Sequence, residues 1–402
     1  MSDPHQPPLP PEPRGAWWVV AAAFCSLALI FGVSYSFAAF FTDFSSEFQV
    51  PRADVSWVFG LCGLVYFVLG VGGGLMADRW GPRRVGGTGM VLIAGGLWLT
   101  SSAQTLATIY LSYGALVGLG IALVYTPAIA CVPPWFVARR GLAAGLASAG
   151  IGAGTLVGPL CVAAAIDAWG WRGALQAMAV AVLVLGLAVT SRLRQSPLAR
   201  AGAQGHAAGL TLAQAWRKPS FVWLYLGTLL GGPVMFIPFA HVSAAARDLG
   251  VDAAHAVGLV GIIGVGSLVG RFAIGPLADR WGRTTTLMVM QISLGASYAL
   301  WYGAHGYAWL VCFALWFGLS YGSMVSLLPA ICMDLFGPRS VSAIVGALYT
   351  AAALGNLLGP VMAGAMFDHD QNYAGVMGVC GLLSVLATAC LWRLSRVGRA
   401  LY

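Results

Sequence analysis

The chain has 402 residues, of which 59% are hydrophobic and only 8% charged, with 54 glycines and a formal net charge of +8 at pH 7. Soluble domains contain about 25% charged residues, so this composition excludes a water-soluble globular protein and indicates one that lies in lipid. The eight cysteines are scattered, and no CxxC, HExxH, P-loop or nucleophile-elbow pattern occurs. The sequence therefore predicts no enzyme activity, no cofactor and no metal site.

Twelve apolar runs follow one another along the chain. Each is close to the roughly 20 residues that a helix needs to cross a ~30 Å hydrocarbon core, so together they predict an all-α membrane protein. The first run is too long for the core of a signal peptide, and we expect it to stay in the protein. The predicted spans cover residues 16–41, 55–77, 85–103, 106–132, 141–166, 172–192, 220–246, 255–279, 284–304, 307–334, 340–367 and 373–395.

The segments between and around these spans suggest a domain organisation. The proline-rich tail, 1–15, is expected to be disordered. Two six-helix bundles, 16–192 and 220–395, are joined by a linker, 193–219, that is rich in Ala, Gly and Arg, and a short tail, 396–402, ends the chain. Both tails and the linker are predicted to share one side of the membrane.

Basic residues are concentrated on that same side. By the positive-inside rule it is the cytoplasm, which makes both termini cytoplasmic. Because these cations form short clusters in loops between spans, topology accounts for the net charge and a nucleic-acid partner is disfavoured. Seventeen of the 21 basic residues are predicted to lie there: Arg14, Arg79, Arg83, Arg84, Arg139, Arg140, Arg192, Arg194, Arg200, Arg217, Lys218, Arg280, Arg283, Arg339, Arg393, Arg396 and Arg399.

The second half of the chain repeats the first at an offset of 201 residues. Residues 74–81 read GLMADRWG and residues 275–282 read GPLADRWG. The same offset pairs Gly154, Gly158, Pro159 and Asp167 with Gly355, Gly359, Pro360 and Asp368. Because both copies of the loop lie on one side, the halves are parallel repeats, and a substrate path is expected between them near the midplane. Small residues four apart predict close helix packing in the fifth and eleventh spans.

The loop motif resembles the signature of the major facilitator superfamily, and the resemblance covers the whole chain. It implies a transporter of twelve helices that works by alternating access. It also implies that charges around the two loops hold the cytoplasmic face together, although they could instead serve only to set topology. This predicted cytoplasmic gate consists of Asp78, Arg79, Arg83, Arg84, Asp279, Arg280, Arg139 and Arg140.

Arg271 is the only charged residue deep inside a predicted span, and its counterpart in the first half is Gly70. An arginine at that depth costs about 2.5–3.5 kcal/mol on insertion scales and usually faces a cavity or a substrate path. Its planar guanidinium can form two parallel hydrogen bonds with a carboxylate, so we predict an anionic substrate. The alternative is a structural arginine paired with a buried acid, but the candidate acids lie near span ends: Asp43, Asp334 and Asp368.

Arg271 is the only positive charge predicted at the site, because the only lysine, Lys218, lies in the linker. One positive charge neutralises one negative charge, which favours a monocarboxylate. Tyrosines can bound a small pocket and donate to carboxylate oxygens, although a tyrosine in a span is as often a packing residue. The candidate neighbours of Arg271 are Ser34, Tyr35, Tyr125, Tyr321, Tyr349 and Asn356.

Several runs resemble the monocarboxylate transporters and the related oxalate/formate antiporters: 32–37 (GVSYSF), 118–125, 135–145 (WFVARRGLAAG) and Arg271 itself. The resemblance implies that Tyr35, Tyr125, Arg271 and Tyr321 line the substrate site. Three positions depart from these families. Animal monocarboxylate transporters have a proton-linked lysine near Ala39 and an acid at the position of Ser267, and the antiporters have a lysine at the position of Ala352.

These departures argue against oxalate, a dianion, as the substrate. They also remove the lysine and the acid that the resemblance to monocarboxylate transporters implies for a proton relay. His241, the only histidine in the interior of a predicted span, is the candidate proton carrier, since histidine titrates near neutral pH. The alternative is a histidine that is simply packed and neutral.

We therefore predict a carrier of small monocarboxylates such as lactate or pyruvate, coupled to protons by symport and functional as a monomer. The alternatives are an organic-anion exchanger, an exporter of a larger amphiphilic compound or, in another class, a membrane sensor that does not transport. The preference for Arg over Lys points to a bacterial inner membrane.

Overall fold

The computed structural model describes residues 15–136, 140–196, 209–337 and 341–399. The first half contains α1 (Ala16–Phe48, with a bend at Ser36), α2 (Arg52–Trp80), α3 (Pro82–Ser101) and α4 (Leu106–Trp135). A long helical run, Arg140–Thr190, is broken at Gly170, where φ is 67° and ψ is 170°, and so provides both α5 and α6. Glycine tolerates this positive φ because it has no Cβ.

The second half begins with a short helix, Leu212–Trp216. It then contains α7 (Pro219–Asp248), α8 (Ala253–Trp281), α9 (Arg283–Tyr302), α10 (Tyr307–Phe336), α11 (Val341–Asp370) and α12 (Ala374–Arg399). Short turns join α1 to α2, α2 to α3 and α3 to α4 in the first half, and α7 to α8, α8 to α9, α9 to α10 and α11 to α12 in the second, so the helices of each pair run antiparallel. We call the end of the bundle near Gly15 and Arg399 the termini face, and the opposite end, with the turns after α1, α7 and α11, the far face.

Much of the outer surface of the bundle is apolar. Trp18, Leu111 and Val385 expose 72%, 72% and 67% of their surface, as expected for helices that face lipid. In the described part of the chain, nine helices are long and apolar enough to cross a membrane, and the Leu142–Thr190 helix is one of them. Its break at Gly170 makes two segments, and α3 and α9 bring the number of helical segments to twelve.

The two halves pack their helices in the same way. In the first, α1 lies on α5, and α2 on α4; in the second, α7 lies on α11, and α8 on α10. The halves meet where α2 packs on α11, α5 on α8, and the far end of α1 on α7. The sequence repeat is therefore also a repeat of structure, and the helices between the halves surround a shared centre.

Glycines allow the closest of these approaches. A Cβ on Gly154 would lie 2.2 Å from the carbonyl oxygen of Ala28 in α1, and one on Gly158 would lie 2.6 Å from the Cα of Gly32. In the second half, a Cβ on Gly355 would lie 2.5 Å from the Cα of Gly232 in α7. The small residues of α5 and α11 thus serve helix packing, as the sequence predicted.

Three parts of the predicted organisation lie outside the described residues: most of the first tail (1–14), the middle of the linker (197–208) and the last residues (400–402). Where the linker is described, the backbone N–H of Leu210 donates to the carbonyl of Phe336 at 2.8 Å. This contact attaches the end of the linker to the termini end of α10.

Candidate functional site

Arg271 lies in the interior of α8 and is partly buried. Its Nε lies 3.4 Å from Oγ of Ser267, one turn earlier, which is a long and weak hydrogen bond. Its Nη2 is buried and has no hydrogen-bond partner among the described residues. The ion pairs of the described residues lie elsewhere, so no described acid neutralises this guanidinium. A buried donor of this kind is suited to an anion.

Two tyrosines from opposite halves meet beside Arg271. The hydroxyls of Tyr35 in α1 and Tyr321 in α10 are 2.8 Å apart and share a hydrogen bond. The ring of Tyr35 stacks on Phe239 of α7, with centroids 4.1 Å apart. Arg271 acts electrostatically on both hydroxyls. The contact therefore joins the halves at the depth of the arginine.

Three further tyrosines complete what we call the arginine–tyrosine cluster: Arg271 with Tyr35, Tyr66, Tyr125, Tyr321 and Tyr349. Phe31 connects the members from the first half, since its ring centroid lies 5.6 Å from that of Tyr35, 6.2 Å from Tyr66 and 5.4 Å from Tyr125. The rings of Tyr125 and Tyr349 are 6.4 Å apart across the halves, and Arg271 acts electrostatically on Tyr349. The cluster thus draws on α1, α2, α4, α8, α10 and α11.

Tyr66 is the member that the sequence reading missed. A tyrosine inside an apolar span does not show which way it faces. The repeat offers the missing signal, because an offset of 201 pairs Tyr66 with Ser267, the residue next to Arg271 on its helix face. Mapping the surroundings of Arg271 onto the first half would therefore have selected Tyr66.

Two other predicted neighbours of Arg271, Ser34 and Asn356, are buried. Asn356 is fully buried between α11 and α2, where its Nδ2 donates to the carbonyl of Phe59 at 3.3 Å and its Oδ1 has no partner. Ser34 is buried in α1, next to Tyr35. The structure therefore places Asn356 at the seam between the halves.

On the far face, an ion pair connects the halves. Arg52, at the start of α2, binds the carboxylate of Asp248 at the end of α7 through two contacts of 2.7 Å. Its guanidinium lies 3.8 Å from the ring centroid of Phe367 and donates to the hydroxyl of Tyr373 at 2.9 Å. The arginine is 17% exposed, and a bidentate pair with this degree of burial is stronger than an ordinary surface pair.

A second acid closes the same face. The carboxylate of Asp368, near the end of α11, accepts from the backbone N–H groups of Arg52 at 3.0 Å and Ala53 at 2.9 Å. It caps the first turn of α2, where the helix dipole favours a negative charge. We call Arg52, Asp248, Phe367, Asp368 and Tyr373 the far-face clamp. It holds the two halves together at this end.

His241 adjoins the clamp rather than the arginine–tyrosine cluster. Its Nε2 lies 2.8 Å from the carbonyl of Pro360 and 3.1 Å from Oγ of Ser56, and its Nδ1 lies 3.0 Å from the hydroxyl of Tyr373. A carbonyl can only accept, so Nε2 carries a proton. Burial raises the pKa of Tyr373, which keeps its hydroxyl protonated; that hydroxyl accepts from Arg52 and donates to Nδ1. The network therefore fits a neutral imidazole.

At the termini face, the predicted cytoplasmic gate is only partly described. Asp78, Arg79, Arg83 and Arg84 are exposed and form no ion pair with a described side chain. Arg280 is exposed as well. Arg139 lies outside the described residues, as do the side chains of Arg140 and Asp279. The ion pair that is described nearby, Arg283 with Asp334 at 2.6 Å, stays within the second half.

Comparison with known proteins identifies the family. Residues 22–360 match the family model described as Major Facilitator Superfamily. The chain is 32% identical over 385 residues to monocarboxylate transporter 13 of Bos taurus, covering 95% of this chain and 90% of that protein. It is 28% identical over 417 residues to the fujikurins efflux protein of Gibberella fujikuroi, covering 98% and 87%.

A solved structure shows the same fold. A bacterial homolog of the human lysosomal transporter Spinster, in an inward-facing and unoccupied conformation, superimposes with a TM-score of 0.73 at 15% identity, covering 96% of this chain and 98% of that one. The family model and the relatives describe transporters, not enzymes. The matched span, the relatives and the fold together show that this chain is a multi-pass membrane protein that belongs to the Major Facilitator Superfamily.

Proposed function

We propose that this protein carries small monocarboxylates across the membrane by alternating access. The supporting observation is Arg271, whose buried Nη2 has no partner and which lies among tyrosines from both halves. A carboxylate would satisfy the guanidinium and neutralise its charge, whereas a dianion would leave one charge uncompensated in a medium of low dielectric constant. Relatives named as monocarboxylate transporters support the same substrate class.

We also propose that transport is proton symport, with His241 as the proton-carrying group. A second proton on the ring would turn Nδ1 into a donor, so that Tyr373 could no longer donate to it, and would add a positive charge beside Arg52. Protonation would therefore loosen the far-face clamp. Phe41 packs against the ring, at 5.0 Å between centroids, and Asp248 is the acid that faces the network through Arg52.

The arginine distribution supports a cytoplasmic termini face, with the predicted gate around Asp78 and Arg79 controlling that side. We propose that the protein lies in the cell membrane. The near-exclusive use of arginine rather than lysine favours a bacterial inner membrane. The relatives named above are eukaryotic.

Uptake into proteoliposomes tests the substrate proposal. We expect purified protein to accumulate labelled lactate or pyruvate when a pH gradient is applied, and Arg271→Gln to abolish uptake because the carboxylate loses its charged partner. Arg396→Gln is the matched control, since Arg396 is exposed and lies over Trp392, 4.0 Å from its ring centroid. Retained uptake by Arg271→Gln, with normal membrane insertion, would refute the assignment.

Export of a larger amphiphilic compound is the second candidate. The similarity to the fujikurins efflux protein, which extends over 98% of this chain, favours it. The same vesicles distinguish the two, because an exporter of this kind would accumulate no short acid under any gradient. Counterflow of short acids that does not depend on the gradient would instead indicate an anion exchanger.

A further inference from the structure

The two halves meet along two equivalent seams that differ at the far face. The offset of 201 relates the seam of α2 and α11 to the seam of α8 and α5. In the first, the carboxylate of Asp368 accepts from the backbone N–H groups of Arg52 and Ala53. The equivalents of Arg52 and Asp368 are Ala253 on α8 and Asp167 on α5, and Asp167 is exposed. Among the described residues, the far-face clamp therefore has no counterpart on the α5–α8 seam.

Side-chain size differs between the seams at the same end. In the α2–α11 seam, a Cβ on Gly364 would lie 2.7 Å from the Cα of Ala53, so the two helices approach closely. Trp57 lies one turn further along α2. Its equivalent on α8 is Gly258, where a Cβ would meet one described side chain within 4 Å, that of Leu160 at 3.8 Å. The α5–α8 seam therefore has free space at the position where α2 carries an indole.

A groove occupies this space. It encloses about 310 Å³, at the lower end of the roughly 300–1,000 Å³ that ligand sites occupy. Its walls are apolar and come from both halves: Leu156 and Leu160 of α5, and Gly258, Gly261 and Ile262 of α8. Leu160 is 46% exposed, so this wall can be reached from outside the bundle, where the spans face lipid.

The polar end of the groove indicates its depth in the membrane. Near the start of α8, the ring of His255 lies 2.6 Å from the carboxylate of Asp252 and 5.2 Å, between centroids, from the ring of Tyr307. His255 and Asp252 are both 63% exposed, and tyrosine is enriched where membrane and water meet. This end therefore lies at the level of the lipid headgroups, and the apolar walls continue from it into the hydrocarbon.

We propose that this groove binds an acyl chain of a membrane phospholipid, which packs between α5 and α8 and completes the closure of the far face on the seam that the clamp does not hold. Helices in lipid associate through van der Waals packing, and an unfilled gap loses those contacts. A chain in the groove supplies them to both halves at once. The site is separate from the arginine–tyrosine cluster, and the inference does not depend on which substrate is carried.

Photolabelling tests the site. The protein is reconstituted in vesicles that contain a phosphatidylcholine with a diazirine in its acyl chain, and the labelled residues are mapped by mass spectrometry after illumination. We expect residues 156–160 and 258–262 to be labelled more strongly than their equivalents in the other seam, 357–361 and 57–61. Gly258→Trp gives α8 the side chain that α2 has at this position. It should fill the groove and lower the labelling of 156–160 to the level of 357–361.

Gly95→Trp is the matched control. Gly95 lies in α3, away from the groove, and a Cβ there would meet nothing within 4 Å, so the labelling of 156–160 should match that of the wild type. Gly258→Leu fills the groove with a smaller side chain and replaces the tryptophan variant if that variant does not fold. Equal labelling of the two seams in the wild type, or unchanged labelling of 156–160 in a folded Gly258 variant, would overturn the proposal.

Discussion

Arg271 holds a positive charge inside α8, and the described structure offers it one long contact to Ser267 and no acid. A buried charge without a partner destabilises a fold. A role in substrate binding therefore explains Arg271 better than a role in stabilising the fold. The Arg271→Gln variant should accordingly unfold at the same or a higher temperature while losing transport. A structural arginine would show the opposite pattern, with a lower unfolding temperature.

A substitution of His241 tests whether this single residue couples substrate transport to protons. Glutamine can donate to Pro360 and accept from Tyr373, and so it can replace the neutral imidazole without titrating. We expect His241→Gln to retain exchange of labelled substrate across the membrane and to lose accumulation driven by a pH gradient. Measurement of both activities from about pH 5 to pH 8, where an unperturbed histidine titrates, and at more acidic pH, because the buried network favours the neutral ring, checks this. Accumulation and a pH profile identical to those of the wild type would exclude His241 as the carrier.

How much of the site is predictable differs from residue to residue. Arg271 is visible in the sequence because a charge in an apolar run has few explanations. The direction of a tyrosine is not visible, since Tyr66 and Tyr125 look alike in their spans. The contacts of His241 were not predictable either, because Ser56 and Pro360 are 185 and 119 residues away in the chain.

At the scale of elements, hydropathy predicts the helices well and their ends less well. The all-α architecture with two related halves is confirmed. The first predicted span ends at 41, yet α1 continues to Phe48. The extension is stabilised because the carboxylate of Glu47 binds Arg172 at 2.5 Å and accepts from the indole of Trp171 at 2.6 Å. These partners lie beyond residue 170, so the local sequence could not reveal them.

The glycines of α5 lead to a prediction about packing. Gly154→Ala places a Cβ 2.2 Å from the carbonyl oxygen of Ala28 and 2.8 Å from the backbone nitrogen of Gly32. Both are backbone atoms, so α1 and α5 must separate, and overpacking of this kind costs about 1–3 kcal/mol. We expect a clear fall in the melting temperature of the detergent-solubilised protein.

Gly145→Ala is the control for that substitution. Gly145 is exposed in the same helix, and a Cβ there would meet nothing within 4 Å. Alanine favours helix over glycine by about 0.5–1 kcal/mol, so this variant should melt at the same or a slightly higher temperature. Equal melting temperatures for the two variants would show that the α1–α5 contact does not require glycine.

At the scale of the whole molecule, the hydrogen bonds between described residues of the two halves lie at the far face, in the central cluster and at Asn356. Arg52, Ala53 and Ser56 of α2 bind residues of the second half. At the termini face, the described residues of the predicted gate, including Asp78 and Arg83, form no ion pair with a described residue of the other half. This arrangement is a conformation closed at the far face. In a carrier built from two related halves, transport requires this closure to open as the opposite face closes.

The far-face clamp should therefore control the balance between the two conformations. Asp368→Asn replaces a carboxylate that accepts from two backbone N–H groups by an amide with one acceptor oxygen, so we expect a larger population that is open at the far face. Spin labels at Gln49 and Gln371, which are exposed in turns of opposite halves on that face, would report the change as longer distances by pulsed electron paramagnetic resonance. Asp370→Asn is the control, because Asp370 pairs with its neighbour His369 at 2.6 Å and not across the halves. Identical distance distributions in Asp368→Asn and Asp370→Asn would show that the cap on α2 does not hold the far face closed.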